Sequence, residues 1–142
     1  MSFLNKIGVE WSLRLGLGIM YLYSGFDLMK HPGSWHWALP YWLSGWIEQV
    51  VAVNTYLRVQ GFIEILMALI FLAWFLKPKI VFWVALLSTL ELFGILVLAF
   101  IPFKEANFLI TFRDIGLLGA SLALTGLLWK KSESPAVRNA TI

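Results

Sequence analysis

The chain has no cysteine and little charge. Among its 142 residues, Asp, Glu, Lys and Arg together make up 13%. The missing thiols exclude disulfides, thiolate metal sites and cysteine-ligated iron–sulfur clusters within this chain. A soluble domain usually has about 25% charged residues. The 11 basic and 8 acidic side chains are therefore too few to coat a water-soluble globule, which excludes a soluble enzyme and a disordered chain.

Apolar and aromatic residues are abundant instead. They make up 60% and 16% of the chain, with 8 Trp, and the mean hydropathy is +0.79. This composition indicates that the lipid bilayer is the main partner, with tryptophans at its interfaces. The net charge of +3 is small, and we expect no nucleic-acid partner.

Four long apolar runs organise the chain. They cover about residues 11–29, 57–76, 80–101 and 108–129. Each is close to the ~20 residues that cross a ~30 Å hydrocarbon layer. Because unpaired backbone groups are not tolerated in lipid, the runs predict helices rather than strands. We therefore expect one all-α domain, an integral membrane antiparallel four-helix bundle, followed by a polar cytoplasmic tail over residues 130–142.

The segment between the first two predicted spans is rich in tryptophan and too broken to cross a membrane. We expect it to lie at the outer membrane surface with a short amphipathic helix near Ser44–Val53. His31 and His36 are predicted to form interfacial hydrogen bonds rather than to bind a metal, so no metal site is expected. The four tryptophans suggest an interfacial belt or, alternatively, the roof of a ligand pocket. They are Trp35, Trp37, Trp42 and Trp46.

Basic residues predict the orientation. If the four helices alternate, most of the basic residues outside the spans fall on one side of the membrane. They are Lys6, Lys77, Lys79, Lys130, Lys131 and Arg138. Only Lys30 and Lys104 fall on the other side. Cytoplasmic loops collect Lys and Arg, so both termini are expected in the cytoplasm, in a multi-pass cytoplasmic (inner) membrane protein.

Seven ionisable residues lie in or at the edges of the predicted spans, where a charge costs at least about 2.5–3.5 kcal/mol. They are Arg14, Asp27, Arg58, Glu64, Glu91, Arg113 and Asp114. All except Arg14 fall toward the outer leaflet in the predicted topology. Arg14 is expected to snorkel to the inner interface.

The two glutamates are the deepest of the outer group. Glu64 lies roughly 9 Å and Glu91 roughly 15 Å from the outer ends of their helices, at 1.5 Å per residue. We predict that they are catalytic groups that carry a proton, with the arginines bridging the acidic side chains. The predicted ligand-binding residues are Asp27, Arg58, Gln60, Arg113 and Asp114. Alternatively, these polar pairs only tie the helices together.

Small residues on two of the spans favour close helix approach. In the fourth span they form Gly116-x-x-x-Ala120 and Gly119-x-x-x-Ala123, and Gly16 and Gly18 lie in the first span. We predict that these positions are packing faces between helices.

Four motifs open or close the predicted spans. They are Arg14-Leu15-Gly16-Leu17-Gly18, then Ser24-Gly25-Phe26-Asp27 with Lys30-His31-Pro32, then Arg58-Val59-Gln60-Gly61-Phe62-Ile63-Glu64-Ile65, and Arg113-Asp114-Ile115-Gly116-Leu117-Leu118-Gly119-Ala120. Together they resemble the DoxX family of small four-helix membrane proteins, over nearly the whole chain. The Gly-x-x-Glu and Arg-Asp-x-Gly-Leu patterns are the most specific parts.

The resemblance implies a bacterial or archaeal membrane protein associated with redox systems. Family members include a small subunit of thiosulfate:quinone oxidoreductase and partners of thiol oxidoreductases. The family often carries a lysine directly after its Gly-x-Asp motif, where this chain has Leu28, with Lys30 as the nearest lysine.

Three functions remain open from the sequence. The first is a quinone-linked or redox-associated subunit, in which an arginine polarises a head-group oxygen and a glutamate carries the proton. Because no electron-carrying residue set is present, a partner subunit or a bound cofactor must then supply electrons. The second is a non-catalytic accessory or assembly subunit, and the third is a small-solute transporter. We expect a protein partner or a homo-oligomer, and a quinone is the one cofactor suggested.

Overall fold

The computed structural model describes residues 8–99 and 108–133, and these residues are helical with short connections and contain no strand. The all-α class is thereby confirmed. The helices are α1 (Val9–Lys30), a 3₁₀ helix (Pro32–Ala38), α2 (Tyr41–Glu48), α3 (Val53–Leu72), α4 (Pro78–Ala99) and α5 (Phe108–Glu133).

Prolines set three of the helix boundaries. α1 stops before His31, which has a non-helical φ of −127°, because the residue before a proline is disfavoured in the α region. Pro40 immediately precedes α2. Pro78 is the first residue of α4, a position where its missing N–H is not needed.

Several predicted boundaries are wrong. The apolar run predicts the second span at residues 57–76, but α3 covers Val53–Leu72, since the short loop helix lies earlier than predicted, at Tyr41–Glu48 rather than Ser44–Val53. α5 continues to Glu133, so the first residues of the predicted tail are helical. The connection over residues 102–107 and the tail over residues 134–142 lie outside the described residues.

The long helices pack as two antiparallel pairs. In the first pair, Gly18 of α1 lies against Leu72 near the end of α3. In the second, the rings of Phe82 in α4 and Trp129 in α5 are 5.5 Å apart. The pairs share one apolar core. Its buried members come from all four helices and include Leu17, Met67, Phe71, Val81, Ala85, Leu124 and Leu128.

Two glycines set the spacing of α1 and α3. A Cβ at Gly25 or at Gly61 would lie 2.7 Å from the carbonyl oxygen of the other residue, which is closer than atoms approach in packed proteins. Gly18 also faces a tight contact, but a methyl group added at Gly16, Gly116 or Gly119 would meet nothing within 4 Å. Among the described residues, therefore, Gly116 and Gly119 of α5 are not the close packing positions that the sequence predicts.

Two of the described helices are long and apolar enough to cross a membrane. They are Val53–Leu72, with a mean hydropathy of 1.6, and Pro78–Leu98, with 2.3. The sequence predicts four such spans. α1 and α5 are as long, but both carry ionisable residues near their two ends.

Arg14 corrects another expectation. Its side chain does not snorkel outward but is buried, with 3% of the residue exposed. Its Nε donates to the carbonyl oxygen of Phe71 at 2.9 Å, and its guanidinium also donates to Ala73 and pairs with Glu10. The last carbonyls of a helix have no partner within the helix. Arg14 satisfies them at the end of α3, which explains its burial.

Candidate functional site

A small, partly open cavity with a mixed polar and apolar lining lies where α1, α3, α4 and α5 meet. Its volume is about 50 Å³. The polar side chains that line it are Tyr21, Ser24, Glu64, Glu91, Arg113 and Asp114. Two of the predicted catalytic or ligand-binding pairs, Glu64 with Glu91 and Arg113 with Asp114, are thus brought to one place.

Glu64 projects from α3 and is 7% exposed. Ser24 of α1 donates a hydrogen bond to its Oε2. This contact follows from the local packing, because Ser24 is next to Gly25 and the Gly25–Gly61 approach brings the two helices together at this level. The partner of Glu64 is thus a neutral hydroxyl group.

Glu91 projects from α4, and its partner is also neutral. The side-chain amide of Gln60 donates to its Oε1. Its Oε2 is buried and has no hydrogen-bond partner among the described residues. Gln60, predicted as a ligand-binding residue, therefore holds one oxygen of Glu91 and leaves the other free.

Arg113 and Asp114, which lie near the start of α5, form an ion pair with each other. The Nε of Arg113 lies 3.1 Å from Oδ1 of Asp114, and Nη2 is also 3.1 Å from that oxygen. The Arg113 side chain is 61% exposed, whereas Asp114 is buried. The predicted bridge from Arg113 to the glutamates is not formed, since its neighbour in sequence takes the guanidinium.

Asp27 and Arg58 do not line the cavity. Asp27 accepts a hydrogen bond from Nε1 of Trp35 at 2.8 Å and lies 3.0 Å from Nδ1 of His31. Arg58 is exposed on α3. The sequence predicts that six charged residues share one pocket, but Asp27 and Arg58 lie instead on the surface near the Trp-rich loop.

The loop packs on α1 and α3 rather than over the cavity. Leu28, Val53 and Leu57 form a second apolar cluster against which Trp35, Leu39 and Ile47 pack. His36 lies 2.7 Å from the side-chain oxygen of Asn54. Among the described residues, no tryptophan of this loop lines the cavity, so the loop does not form the roof that the alternative predicts. Within the described part of the chain, no group of three or more His, Asp or Glu residues could hold a metal ion.

Sequence reasoning missed a buried set of hydroxyl groups beside Glu91. Tyr21 Oη lies 2.8 Å from Ser88 Oγ, and Ser121 Oγ donates to Ser88 Oγ at 3.1 Å. Thr89 continues the set, with its hydroxyl 2.7 Å from that of Ser121. The Ser88–Glu91 spacing of three residues was one signal. Tyr21 and Ser121 gave none, because each lies in an apolar run whose inward face the sequence alone does not identify.

The arrangement suits proton exchange and the binding of a few water molecules. Neither glutamate is in an ion pair within residues 8–99 and 108–133. A carboxyl group held only by neutral partners can gain or lose a proton without breaking a salt bridge. Each buried water needs roughly 10–15 Å³, so the cavity volume of about 50 Å³ accommodates a few of them.

The enclosed volume of this cavity is smaller than a quinone ring needs. Benzene occupies a protein cavity of roughly 150 Å³ in a well-studied case, and the cavity here has a volume of about 50 Å³. A quinone that exchanges protons with the glutamates would therefore lie mostly outside the enclosed part of the cavity.

Comparison with known proteins adds no relative. No family model matches the chain, no curated protein matches it, and no solved structure matches it. The resemblance to the DoxX family therefore stays a prediction that rests on the four motifs.

Proposed function

We propose that the chain is a multi-pass membrane protein of the DoxX type, in which all four long helices cross the bilayer with both termini in the cytoplasm. The outward apolar side chains of α1 and α5 support this, among them Ile19, Phe26, Ile115 and Leu122. Such exposed apolar surface is suited to lipid. In the antiparallel packing, the end of the bundle where Lys131 contacts Glu10 also carries Lys77, Lys79 and Lys130. The positive-inside rule favours the cytoplasm for this end.

Within that membrane protein, we propose that the cavity exchanges protons for a redox complex in which a partner subunit carries the electrons. Quinone reduction takes up two electrons and two protons, so such a complex needs a proton donor inside the membrane. This chain supplies the proton path at Glu64 and Glu91, and the partner supplies the electron path and the quinone site.

One observation carries the proposal. Glu64 and Glu91 line the same cavity, and their hydrogen-bond donors are the neutral Ser24 and Gln60. Buried ionisable groups in a membrane normally pair with opposite charges unless they serve a proton or ion path. Here the nearby Arg113 is paired with Asp114 instead.

The test uses membranes of the host cell, in which the partner subunits are present. Glu64→Gln and Glu91→Gln keep the shape of the side chain but remove the titrating group. We expect quinone reduction to fall by about 100-fold in each variant, the scale of general acid–base catalysis, with unchanged amounts of the protein in the membrane. Glu48→Gln, on the exposed side of α2, is the matched control and should retain full activity.

Two results would contradict this proposal. Full quinone reduction in both cavity variants would remove the proton role of the glutamates. Loss of both variants from the membrane would show that the glutamates hold the bundle together, which favours an accessory subunit.

The accessory function has one structural observation of its own. Gly116, Gly119 and Gly126 of α5 have nothing within 4 Å of an added methyl group. Small residues on a membrane helix permit close approach of another helix. Two results together would favour this second candidate. A cysteine introduced at Gly119 would cross-link to a partner helix, and the separate Glu64→Gln variant would keep its quinone-reduction activity.

A further inference from the structure

A line of buried hydroxyl groups runs from the cavity into the seam between α4 and α5. Tyr21 Oη, Ser88 Oγ and Ser121 Oγ follow one another at 2.8 and 3.1 Å. All three residues are at most 2% exposed. The proton exchange proposed above does not use these groups, and they are too buried to interact with bulk water.

The direction of these hydrogen bonds can reverse. A hydroxyl group has one hydrogen to donate and two lone pairs that accept. Between Tyr21 and Ser88 either oxygen can be the donor. Ser88 also accepts from Ser121, so it can give its own hydrogen to Tyr21 and still take part in two hydrogen bonds. Tyr21 is then free to donate elsewhere.

Glu91 is the acceptor that the geometry offers. Tyr21 and Glu91 line the same cavity. Oε1 of Glu91 is bonded to Gln60, whereas Oε2 is buried without a hydrogen-bond partner in the described part of the molecule.

We propose that Ser121, Ser88 and Tyr21 form a reversible donor chain that stabilises the Glu91 carboxylate. When Glu91 holds its proton, Tyr21 donates to Ser88. When Glu91 gives that proton to a cavity water, leaving a carboxylate and a hydronium ion, the hydroxyl hydrogens turn. Ser121 continues to donate to Ser88, while Ser88 now donates to Tyr21 and Tyr21 donates to Oε2. Only O–H bonds of Glu91 and water break or form.

The other groups that face Glu91 do not provide this stabilisation. Glu64 from α3 carries the same sign of charge when ionised, and Asp114 from α5 is paired with Arg113. Gln60 donates to the other oxygen. Hydrogen bonds in a row strengthen one another at low dielectric, so a donor chain is more effective here than one isolated hydroxyl. Tyr21, Ser88 and Ser121 are thus positioning residues for the proton exchange proposed above, on which this inference rests.

The experiment follows the Glu91 carboxyl group by infrared spectroscopy. The full-length protein is reconstituted into phosphatidylcholine vesicles, and the carboxylic C=O band is titrated between pH 4 and pH 10 (chosen to cover about three pH units on either side of neutrality). The band missing in Glu91→Gln is assigned to Glu91. In Tyr21→Phe we expect the pH of half-conversion to rise by about 1 unit or more, since a charge-assisted hydrogen bond is lost.

A second variant keeps the test valid if Tyr21→Phe does not fold. Ser121→Ala leaves Tyr21 in place and removes only the far donor, so we expect a smaller rise in the same direction. The matched controls are Tyr23→Phe on the exposed side of α1 and Ser132→Ala near the end of α5, which should not shift the band. The phenol C–O band of Tyr21 should also change with the Glu91 titration, and should not change in Glu91→Gln.

The outcomes separate the two proposals. Absence of any titrating Glu91 band in the unmodified protein would contradict the proton-exchange function itself. A titrating Glu91 band whose half-conversion pH is the same in Tyr21→Phe, or in Ser121→Ala if only that variant folds, would overturn the donor chain alone.

Discussion

Ser24 of α1 donates its hydroxyl hydrogen to Glu64 of α3, one residue before the point where Gly25 meets Gly61. The hydrogen bond and the close backbone approach occur at the same level of the bundle. Because a short serine side chain reaches Glu64 only if the helices are this close, the glycines position a functional side chain as well as pack two helices.

We expect Gly61→Ala to destabilise the protein by about 1–3 kcal/mol, the usual range for an overpacked interior. The new Cβ would lie 2.7 Å from the carbonyl oxygen of Gly25, which is backbone and cannot turn away. Unfolding by urea in detergent, followed by circular dichroism, measures the change. Gly116→Ala is the matched control, since it meets nothing within 4 Å. Equal stability of the two variants would show that the contact is not tight.

Arg14→Ala should also destabilise the bundle. It removes the donors to Phe71 and Ala73 and leaves the end of α3 without its cap. We expect a loss of about 2–3 kcal/mol, because a charged donor is removed from buried acceptors, and faster amide exchange near Ala73. Hydrogen exchange read by mass spectrometry measures the second effect. Lys131→Ala, which removes only an exposed pair with Glu10, should change the unfolding free energy by less than about 1 kcal/mol.

The topology is accessible to single-cysteine labelling, because the chain has no native cysteine. A cysteine at exposed Ser34 should react with a membrane-impermeant maleimide in intact cells. Cysteines at exposed Lys77 and Lys130 should react only after the membrane is permeabilised. Labelling of all three positions in intact cells, or of none, would contradict the four-span arrangement.

Trp35 should hold the Trp-rich loop between α1 and α3 on the bundle. Trp35→Phe retains a ring for the apolar cluster with Leu28, Val53 and Leu57 but loses the hydrogen bond to Asp27. We expect faster amide exchange over residues 32–48 and an unfolding free energy about 1 kcal/mol lower. Trp37→Phe is the control, since Trp37 is half exposed. An unchanged exchange rate in the loop would show that the Asp27 contact does not anchor it.

The helices are readable from the sequence, since their apolar runs are long and continuous. The proline positions and the loop composition are less decisive, which is why α2 and α3 begin earlier than the sequence predicts. Which side of each helix faces inward is not readable. Apolar residues cover all sides of a helix that faces lipid, so periodicity does not separate its inner face from its outer face.

The same reason explains why only some of the predicted site residues line the cavity. Glu64 and Glu91 stand out because a carboxylate in an apolar run is costly, and both do line the cavity. Asp27 and Arg58 also lie toward the same end of the bundle as the two glutamates. Position along a helix, however, does not say from which side of the helix a side chain projects. The prediction for Arg14 is wrong because its acceptors are backbone carbonyls at the end of another helix, which no side-chain pattern reveals.

The Trp-rich loop packs on α1 and α3 and contributes no residue to the described lining of the cavity. Its exposed turn around Gly33 and Ser34 is therefore a place to insert an epitope tag. An antibody bound there would hold the protein without contacting the cavity lining.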